Sequence, residues 1–197
     1  MATASLALSV AACGGSESSS PSEQAPSSTA ASGPSPSAAP NDGADVTATF
    51  GTDPEAMIYD KQIIPQGSHV QVIEEFEGNS TKVSLTVRGL LPNRAYGAHV
   101  HKMPCGPKGD DAGPHFQHMA DPTKPSVNPA YANPQNEIWL DLKTDEQGNA
   151  TSTSTVPWKF TPPASAGSVV IHAEKTQTGP GKAGTAGARA ACVSAKF

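Results

Sequence analysis

The chain has 197 residues and a formal net charge of −5, from 18 acidic and 13 basic side chains. It is acidic and has no basic patch interleaved with aromatic residues, which argues against nucleic acid as a partner. The first 49 residues contain no aromatic residue, Lys or Arg. The core must therefore come from the remaining stretch of about 150 residues, a length that suits one domain.

Residues 1–13 combine a short apolar run with a cysteine. The run at residues 4–12 is too short to span a bilayer but long enough for the core of a signal peptide. Val10-Ala11-Ala12-Cys13 resembles a bacterial lipoprotein processing box. This implies lipidation of Cys13, export, and a membrane anchor facing the cell wall or periplasm. No positive residue precedes the apolar run, and a short disordered extension is the alternative interpretation.

Residues 14–45 consist almost entirely of Ser, Pro, Ala, Gly and a few acids. Such a segment has too little apolar surface to offset the entropy lost on ordering, and we interpret it as a flexible tether. The predicted folded domain is residues 46–197.

The first half of this domain has the pattern of antiparallel strands. Residues 82–88 alternate strictly, with Val83, Leu85 and Val87 on one face. A β-branched run at residues 69–76 precedes them, and residues 77–80 suit a hairpin turn. The next strand, at residues 97–101, is predicted to complete a meander with these two.

Further strands are predicted at residues 138–142, 150–156, 168–173 and 190–195. No segment longer than ten residues has a convincing helical repeat. Short strands separated by Gly/Pro turns predict an all-β sandwich or barrel. Two long irregular stretches, residues 102–136 and 174–188, are where a functional site is expected.

The segment Gly97-Ala98-His99-Val100-His101 places two imidazoles two residues apart. Side chains alternate faces along a strand, so both histidines should point the same way, with Cα atoms roughly 6.6 Å apart. Two such rings can converge on one metal ion, although such pairs also occur on solvated strands. Three further histidines follow the pair, namely His115, His118 and His172.

If Cys13 is an anchor, Cys105 and Cys192 remain as one possible disulfide, closing a loop of 87 residues. In an oxidising compartment this bond would stabilise the fold by about 4 kcal/mol. The alternative is a pair of buried free thiols.

Five features occur in order: Gly-x-His-Val-His at residues 97–101, Cys105, Ala-Gly-Pro-His-Phe at residues 112–116, a lone His172, and Gly-x-Ala-Gly-x-Arg-x-x-Cys at residues 184–192. In this order they resemble the copper/zinc superoxide dismutase family. The resemblance covers most of residues 46–197. It implies an eight-stranded Greek-key β-sandwich and copper-dependent disproportionation of superoxide to oxygen and hydrogen peroxide.

The resemblance also implies roles for individual residues. Copper would be bound by His99, His101, His115 and His172. Of these, His115 matches the histidine that bridges copper and zinc and carries a proton. Arg189 matches the arginine that guides superoxide to copper, and Cys105 and Cys192 match the family's disulfide.

The residue types suit this chemistry. Imidazole binds both Cu(II) and Cu(I), so the metal can cycle without being lost. The net charge of −5 repels an anionic substrate, and attraction must come from the site itself. Arg189, with Lys175 and Lys182, is expected to supply it.

Two departures from the family pattern favour its copper-only branch. Between His115 and His172 the only other histidine is His118, so one zinc ligand is missing. The interval from His172 to Arg189, 17 positions, is shorter than in zinc-containing members. Zinc is expected to be absent or weakly bound; the acids near enough in sequence to replace a ligand are Asp121, Glu137 and Asp141.

In a copper-only site the second ring nitrogen of His115 needs another partner, and Glu137 or Asp141 is the candidate. Alternatively, these acids are ordinary charges at a strand edge. His69 is interpreted as a surface residue, and Trp139 and Trp158 as packing residues. A non-catalytic copper-binding or structural domain is the alternative function. Arg189 argues against it, because a copper store has no need of an anion guide.

Overall fold

A computed structural model describes residues 43–161 and 166–197. The predicted signal segment with Cys13, and the tether up to residue 42, lie outside the described residues. Among the described residues, no helix is both long and apolar enough to cross a membrane.

The described residues form ten strands and one short 3-10 helix, Gly109–Ala112. The strands are β1 (Asp45–Thr49), β2 (Ala56–Ile58), β3 (His69–Glu77), β4 (Ser80–Arg88), β5 (Ala95–Tyr96), β6 (Ala98–His101), β7 (Leu142–Lys143), β8 (Ala150–Val156), β9 (Ser168–His172) and β10 (Arg189–Ser194).

Eight of the strands form two four-stranded sheets, and all their pairings are antiparallel. The first, which we call the hairpin sheet, has the order β1-β3-β4-β8. The second, the histidine sheet, has the order β2-β10-β9-β6. Strands β5 and β7 form a separate pair. The predicted all-β Greek-key sandwich of about eight antiparallel strands is thus confirmed.

The hairpin sheet follows from its alternating sequence. In β4, Val83, Leu85 and Val87 are fully buried, while the polar side chains between them face outward. Hydroxyl pairs, such as Ser84 with Thr153, link β4 to β8 on the outer face. Burial of each Val or Leu stabilises the fold by about 1.5 to 3 kcal/mol, so this pattern fixes the inner face of the sheet.

The predicted hairpin is confirmed, but the predicted meander is wrong. Strands β3 and β4 pair across the expected turn, from His69↔Arg88 to Glu77↔Ser80. Strand β6, however, pairs with β9 in the other sheet. All four residues of β6 are buried, whereas β4 has one partly solvated face, so β6 suits a sheet covered on both sides.

The predicted strand at residues 138–142 is only partly regular. The ladder is confined to Leu142–Lys143, which pairs with β5. Upstream of it, Leu140 N–H donates to the Ala98 carbonyl and Val100 N–H donates to the Ile138 carbonyl. The segment therefore lies beside β6, with Ile138 and Leu140 fully buried.

The two predicted long irregular stretches contain no strand, and the first contains the 3-10 helix. A Cys105–Cys192 disulfide joins this first stretch to β10. The predicted bond is confirmed, and the pair of free thiols is excluded for these residues.

Candidate metal centre

Two strands and one loop bring four histidines together. His99 and His101 share one face of β6, as the strand period predicts, and His172 ends the neighbouring β9. The loop carrying His115 runs back along β6, where Phe116 N–H donates to the Val100 carbonyl and His115 forms a β-bridge with His101.

The four rings are close enough to share one ion. The ring of His99 lies 4.2 Å from that of His115 and 4.9 Å from that of His172, between centroids. One nitrogen from each of the four side chains lies within 4.8 Å of the others. In the part of the chain that the structure describes, this is the single group of three or more His, Cys, Asp or Glu with such geometry.

We call the ring nitrogen that points away from the other three histidines the outer nitrogen, and the one that points toward them the inner nitrogen. The outer nitrogen of each ring has a hydrogen-bond partner. His101 Nδ1 lies 2.9 Å from the Gly113 carbonyl, and His172 Nδ1 lies 3.4 Å from the Gly187 carbonyl. His115 Nδ1 lies 2.8 Å from Glu137 Oε2. His99 differs, because its Nε2 contacts the Thr176 hydroxyl at 2.7 Å.

These partners assign the inner nitrogens. A carbonyl or carboxylate only accepts, so each of the Nδ1 atoms facing one carries the proton, and the Nε2 lone pair is free to bind a metal. In the buried rings, His99 Nδ1, His101 Nε2 and His172 Nε2 have no hydrogen-bond partner among the described residues. Buried polar atoms without a partner are costly, and a metal ion would satisfy all of them.

Burial keeps the rings of His99, His101 and His172 neutral. Burial, with the nearby His115, holds the pKa of His99 and of His101 well below the ordinary value of 6.5. Burial also lowers the pKa of His172, to about 4. Neutral imidazole is the form that binds metals, so the four residues fit a transition-metal ion that accepts nitrogen ligands.

Glu137 holds the outer side of His115. Its side chain is 2% exposed and accepts three hydrogen bonds, from His115 Nδ1, Trp139 Nε1 and Gln117 Nε2, at 2.7 to 2.8 Å. Of the two acids predicted as partners of His115, Glu137 therefore makes the contact. It is not an ordinary charge at a strand edge.

Asp141 and His118 occupy other positions. Asp141 accepts hydrogen bonds from both the backbone N–H and the hydroxyl of Thr176. His118 is exposed, and its ring stacks on Trp158 with centroids 4.9 Å apart. The buried Asp121 accepts from the Ser126 hydroxyl and the Thr123 N–H. The structure brings none of these three predicted candidates into the four-histidine group.

Arg189 lies at the mouth of the site. It pairs with His172 across β9 and β10, next to a register shift in β10 that redirects the strand. Its Nη1 donates to the Gly109 carbonyl at 2.7 Å. It lines a cavity of about 320 Å³ that also contacts His115, His172 and Lys124. The expected loop cations Lys175 and Lys182 are exposed and do not line this cavity.

The sequence interpretation missed Gln117, Thr176 and Lys124, and it assigned Trp139 to packing alone. One available signal was the alternation in residues 137–141. Because Ile138 and Leu140 face the core, Glu137, Trp139 and Asp141 must share the opposite face. Trp139 forms an antiparallel bridge with His99, so these three side chains lie on the same face as His99 and His101 of β6. No comparable pattern marks Thr176 or Lys124.

The fold and site define a β-sandwich protein with a buried histidine cluster suited to one metal ion. The family model described as copper/zinc superoxide dismutase matches residues 67–194. The chain belongs to the copper/zinc superoxide dismutase family.

Two solved structures are similar to the chain. The Cu/Zn superoxide dismutase from Brucella abortus is 20% identical, with a TM-score of 0.48, over 76% of this chain and 98% of that one. The P104H mutant of a SOD-like protein from Bacillus subtilis is 17% identical, with a TM-score of 0.50, over 64% of this chain and 88% of that one. No curated protein sequence matches the chain.

Proposed function

We propose that the protein is a superoxide dismutase that uses copper bound by His99, His101, His115 and His172. The observation that carries this proposal is the set of four inward nitrogens, three of them buried without a partner. Copper there would cycle between Cu(II) and Cu(I), taking an electron from one superoxide to release oxygen and giving it to a second, which with two protons becomes hydrogen peroxide.

The chain's own residues supply binding, attraction and protons. His99, His101 and His172 have outer nitrogens fixed by neighbours, which hold the rings in one orientation. His115 borders the cavity, and its Nε2 can accept and release a proton while Glu137 holds its Nδ1–H. Arg189 is the cation beside these rings, and Lys124 lines the same cavity. Together they offset the repulsion from a net charge of −5.

The surroundings of His115 support the copper-only branch of the family. In zinc-containing members the second nitrogen of the bridging histidine binds zinc, whereas here Nδ1 of His115 contacts Glu137. His118 stacks on Trp158 and lies outside the four-histidine group. We therefore assign to Glu137 the part that zinc plays elsewhere, namely holding the orientation and tautomer of His115.

Dismutation by the copper-loaded protein, measured with and without added zinc, tests both parts. We expect full activity with copper alone. Copper binding without turnover would favour a non-catalytic copper-binding domain. A requirement for zinc would contradict the copper-only assignment.

Arg189→Ala tests the guide role. We expect the rate constant to fall about tenfold and its dependence on ionic strength to weaken, with copper content unchanged. Arg88→Ala is the matched control, because it removes the same charge from an exposed position on the hairpin sheet. Equal effects of the two substitutions, or loss of copper from Arg189→Ala, would contradict the role.

For the N-terminal segment we propose export and anchoring through a lipidated Cys13, on the strength of the apolar run and processing box. Mass spectrometry of protein from the membrane fraction tests this. An unmodified Cys13 would contradict it.

A further inference from the structure

Among the four histidines, His99 has a different outer partner. The outer nitrogens of His101 and His172 contact backbone carbonyls, and that of His115 contacts a carboxylate. The outer nitrogen of His99 instead contacts the hydroxyl of Thr176 at 2.7 Å. A hydroxyl can donate or accept, so by itself it would not fix which nitrogen of His99 carries the proton.

Asp141 removes this ambiguity. The Thr176 hydroxyl donates to Asp141 Oδ1, and the Thr176 backbone N–H donates to Asp141 Oδ2 at 3.0 Å. Because the hydroxyl proton is used in this way, the oxygen of Thr176 must accept from His99 Nε2–H. His99 Nε2 and Asp141 Oδ1 are 3.9 Å apart, too far for a direct hydrogen bond.

The surrounding backbone fixes the position of Thr176. The side chain of His99 is fully buried, and Thr176 is 6% exposed. The loop doubles back on itself through hydrogen bonds from Glu174 N–H to the Ala186 carbonyl and from Gln177 N–H to the Thr185 carbonyl.

Gly97 allows this loop to approach β6. A Cβ at position 97 would lie 2.9 Å from the Thr176 hydroxyl oxygen and 2.8 Å from the Glu174 carbonyl oxygen. The Cβ of Ala186 would be closer still, at 2.5 Å, so a larger residue would force this loop away from β6.

We infer that Thr176 is a positioning residue that connects the carboxylate of Asp141 to His99 and so fixes Nδ1 of His99 as the nitrogen that binds the metal. The inference rests on the proposed copper site. Two carboxylates thus orient two of the four rings: Glu137 holds His115 directly, and Asp141 holds His99 through one hydroxyl. The connection also explains why Asp141 makes no direct hydrogen bond to a histidine.

The test compares Thr176→Val, which removes the hydroxyl at constant shape, with Thr176→Ser, which keeps it. We expect Thr176→Val to weaken Cu(II) binding 10- to 100-fold, measured by competition with a chelator, and to change the Cu(II) electron paramagnetic resonance spectrum. Thr176→Ser should stay within about threefold of the wild type. Thr144→Val is the matched control, since Thr144 is also buried but its hydroxyl donates to the carbonyls of Leu91 and Arg94.

A second measurement does not depend on copper. In the metal-free wild-type protein at neutral pH, ¹⁵N NMR of the imidazoles should show His99 with the proton on Nε2. Thr176→Val should lose this single tautomer, while Thr144→Val keeps it. A wild type that binds copper without dismuting superoxide would contradict the proposed function and leave this result in place.

Asp141→Asn tests whether Asp141 and Thr176 act on His99 together. Because both substitutions interrupt one chain of hydrogen bonds, the double variant with Thr176→Val should bind copper no more weakly than Thr176→Val alone, within about threefold. Unchanged copper affinity and His99 tautomer in Thr176→Val would overturn the inference. So would a Thr176→Ser variant as impaired as Thr176→Val.

Discussion

The hairpin sheet and the histidine sheet each have four strands, but they differ in how they are covered. Strands of the hairpin sheet alternate between buried and more exposed residues. In the histidine sheet β6 and β9 are buried on both faces. The inner face of each sheet contributes to the common core. The metal centre lies on the outer face of the histidine sheet, where loops cover it. This cover distinguishes the histidine sheet, which holds the binding site, from the hairpin sheet.

The largest expected difference between the sheets comes from removing a histidine from each. His101→Ala should reduce copper affinity at least roughly 100-fold and abolish dismutation, because a ligand matters more than an outer partner of a ligand. His69→Ala, on the hairpin sheet, removes an exposed ring whose Nδ1 lies 3.2 Å from the Thr49 hydroxyl. It should leave both quantities unchanged. Chelator competition and activity assays measure these effects. Comparable copper loss from both variants would contradict the assignment of the metal site to the histidine sheet.

The disulfide ties a covering loop to the histidine sheet. Replacing both Cys105 and Cys192 by Ala opens a loop of 87 residues, which should lower the free energy of unfolding by about 4 kcal/mol. Denaturant unfolding of the oxidised wild type and the variant measures this loss. A change below about 1 kcal/mol would show that the loop is held mainly by its other contacts.

Acid should destabilise the metal-free protein through the histidine sheet. The pKa of His172 is about 4 in the folded protein, against 6.5 ordinarily, and the pKa values of His99 and His101 are also lowered. Between pH 6.5 and 4 the unfolded chain therefore binds more protons than the folded protein. The free energy of unfolding has its full value above pH 6.5 and falls as the pH decreases toward 4.

For His172 alone the loss amounts to roughly 3 kcal/mol. Denaturant unfolding of the metal-free protein at a series of pH values measures it. Since His69 has an exposed ring on the other sheet, His69→Ala should not alter the profile. A stability that stayed constant from pH 7 to 4 would contradict the neutral, buried state of these rings.

The smallest expected effects come from exchanging Thr and Val, which have similar shapes. Thr153→Val on the outer face of the hairpin sheet should change the free energy of unfolding by less than about 0.5 kcal/mol. Val170→Thr in β9 places a hydroxyl in a fully buried position and should cost about 1 to 3 kcal/mol. Thermal and denaturant unfolding of both variants measure these losses. Equal losses of stability would contradict the difference in burial between the two sheets.

The sequence predicted the local parts of this molecule well. The alternation at residues 82–88 gave β4, and the period of a strand placed His99 and His101 on one face. Neither inference needs knowledge of distant residues. The order of motifs also indicated the family and the four histidines.

Features that depend on distant pairing could not be predicted in the same way. Strand β6 pairs with β9, about 70 residues later, because both are buried on two faces. The residues of the turn after β4 do not indicate that β6 leaves the hairpin sheet. Thr176 is a buried partner of His99 only because the loop of residues 174–188 folds back on Gly97. An irregular loop has no period from which such a contact can be inferred.

His99 offers Nδ1 to the centre of the site, whereas His101 offers Nε2. The two nitrogens differ in their distance from the backbone. In histidine, Nδ1 is two bonds from Cβ, whereas Nε2 is three bonds away. His99 offers the near atom and His101 the far atom, so an ion bound by both would lie closer to the Cβ of His99 than to that of His101. The amide of asparagine has the reach of Nδ1, and that of glutamine has the reach of Nε2. An amide ligand would therefore have to be asparagine at position 99 and glutamine at position 101.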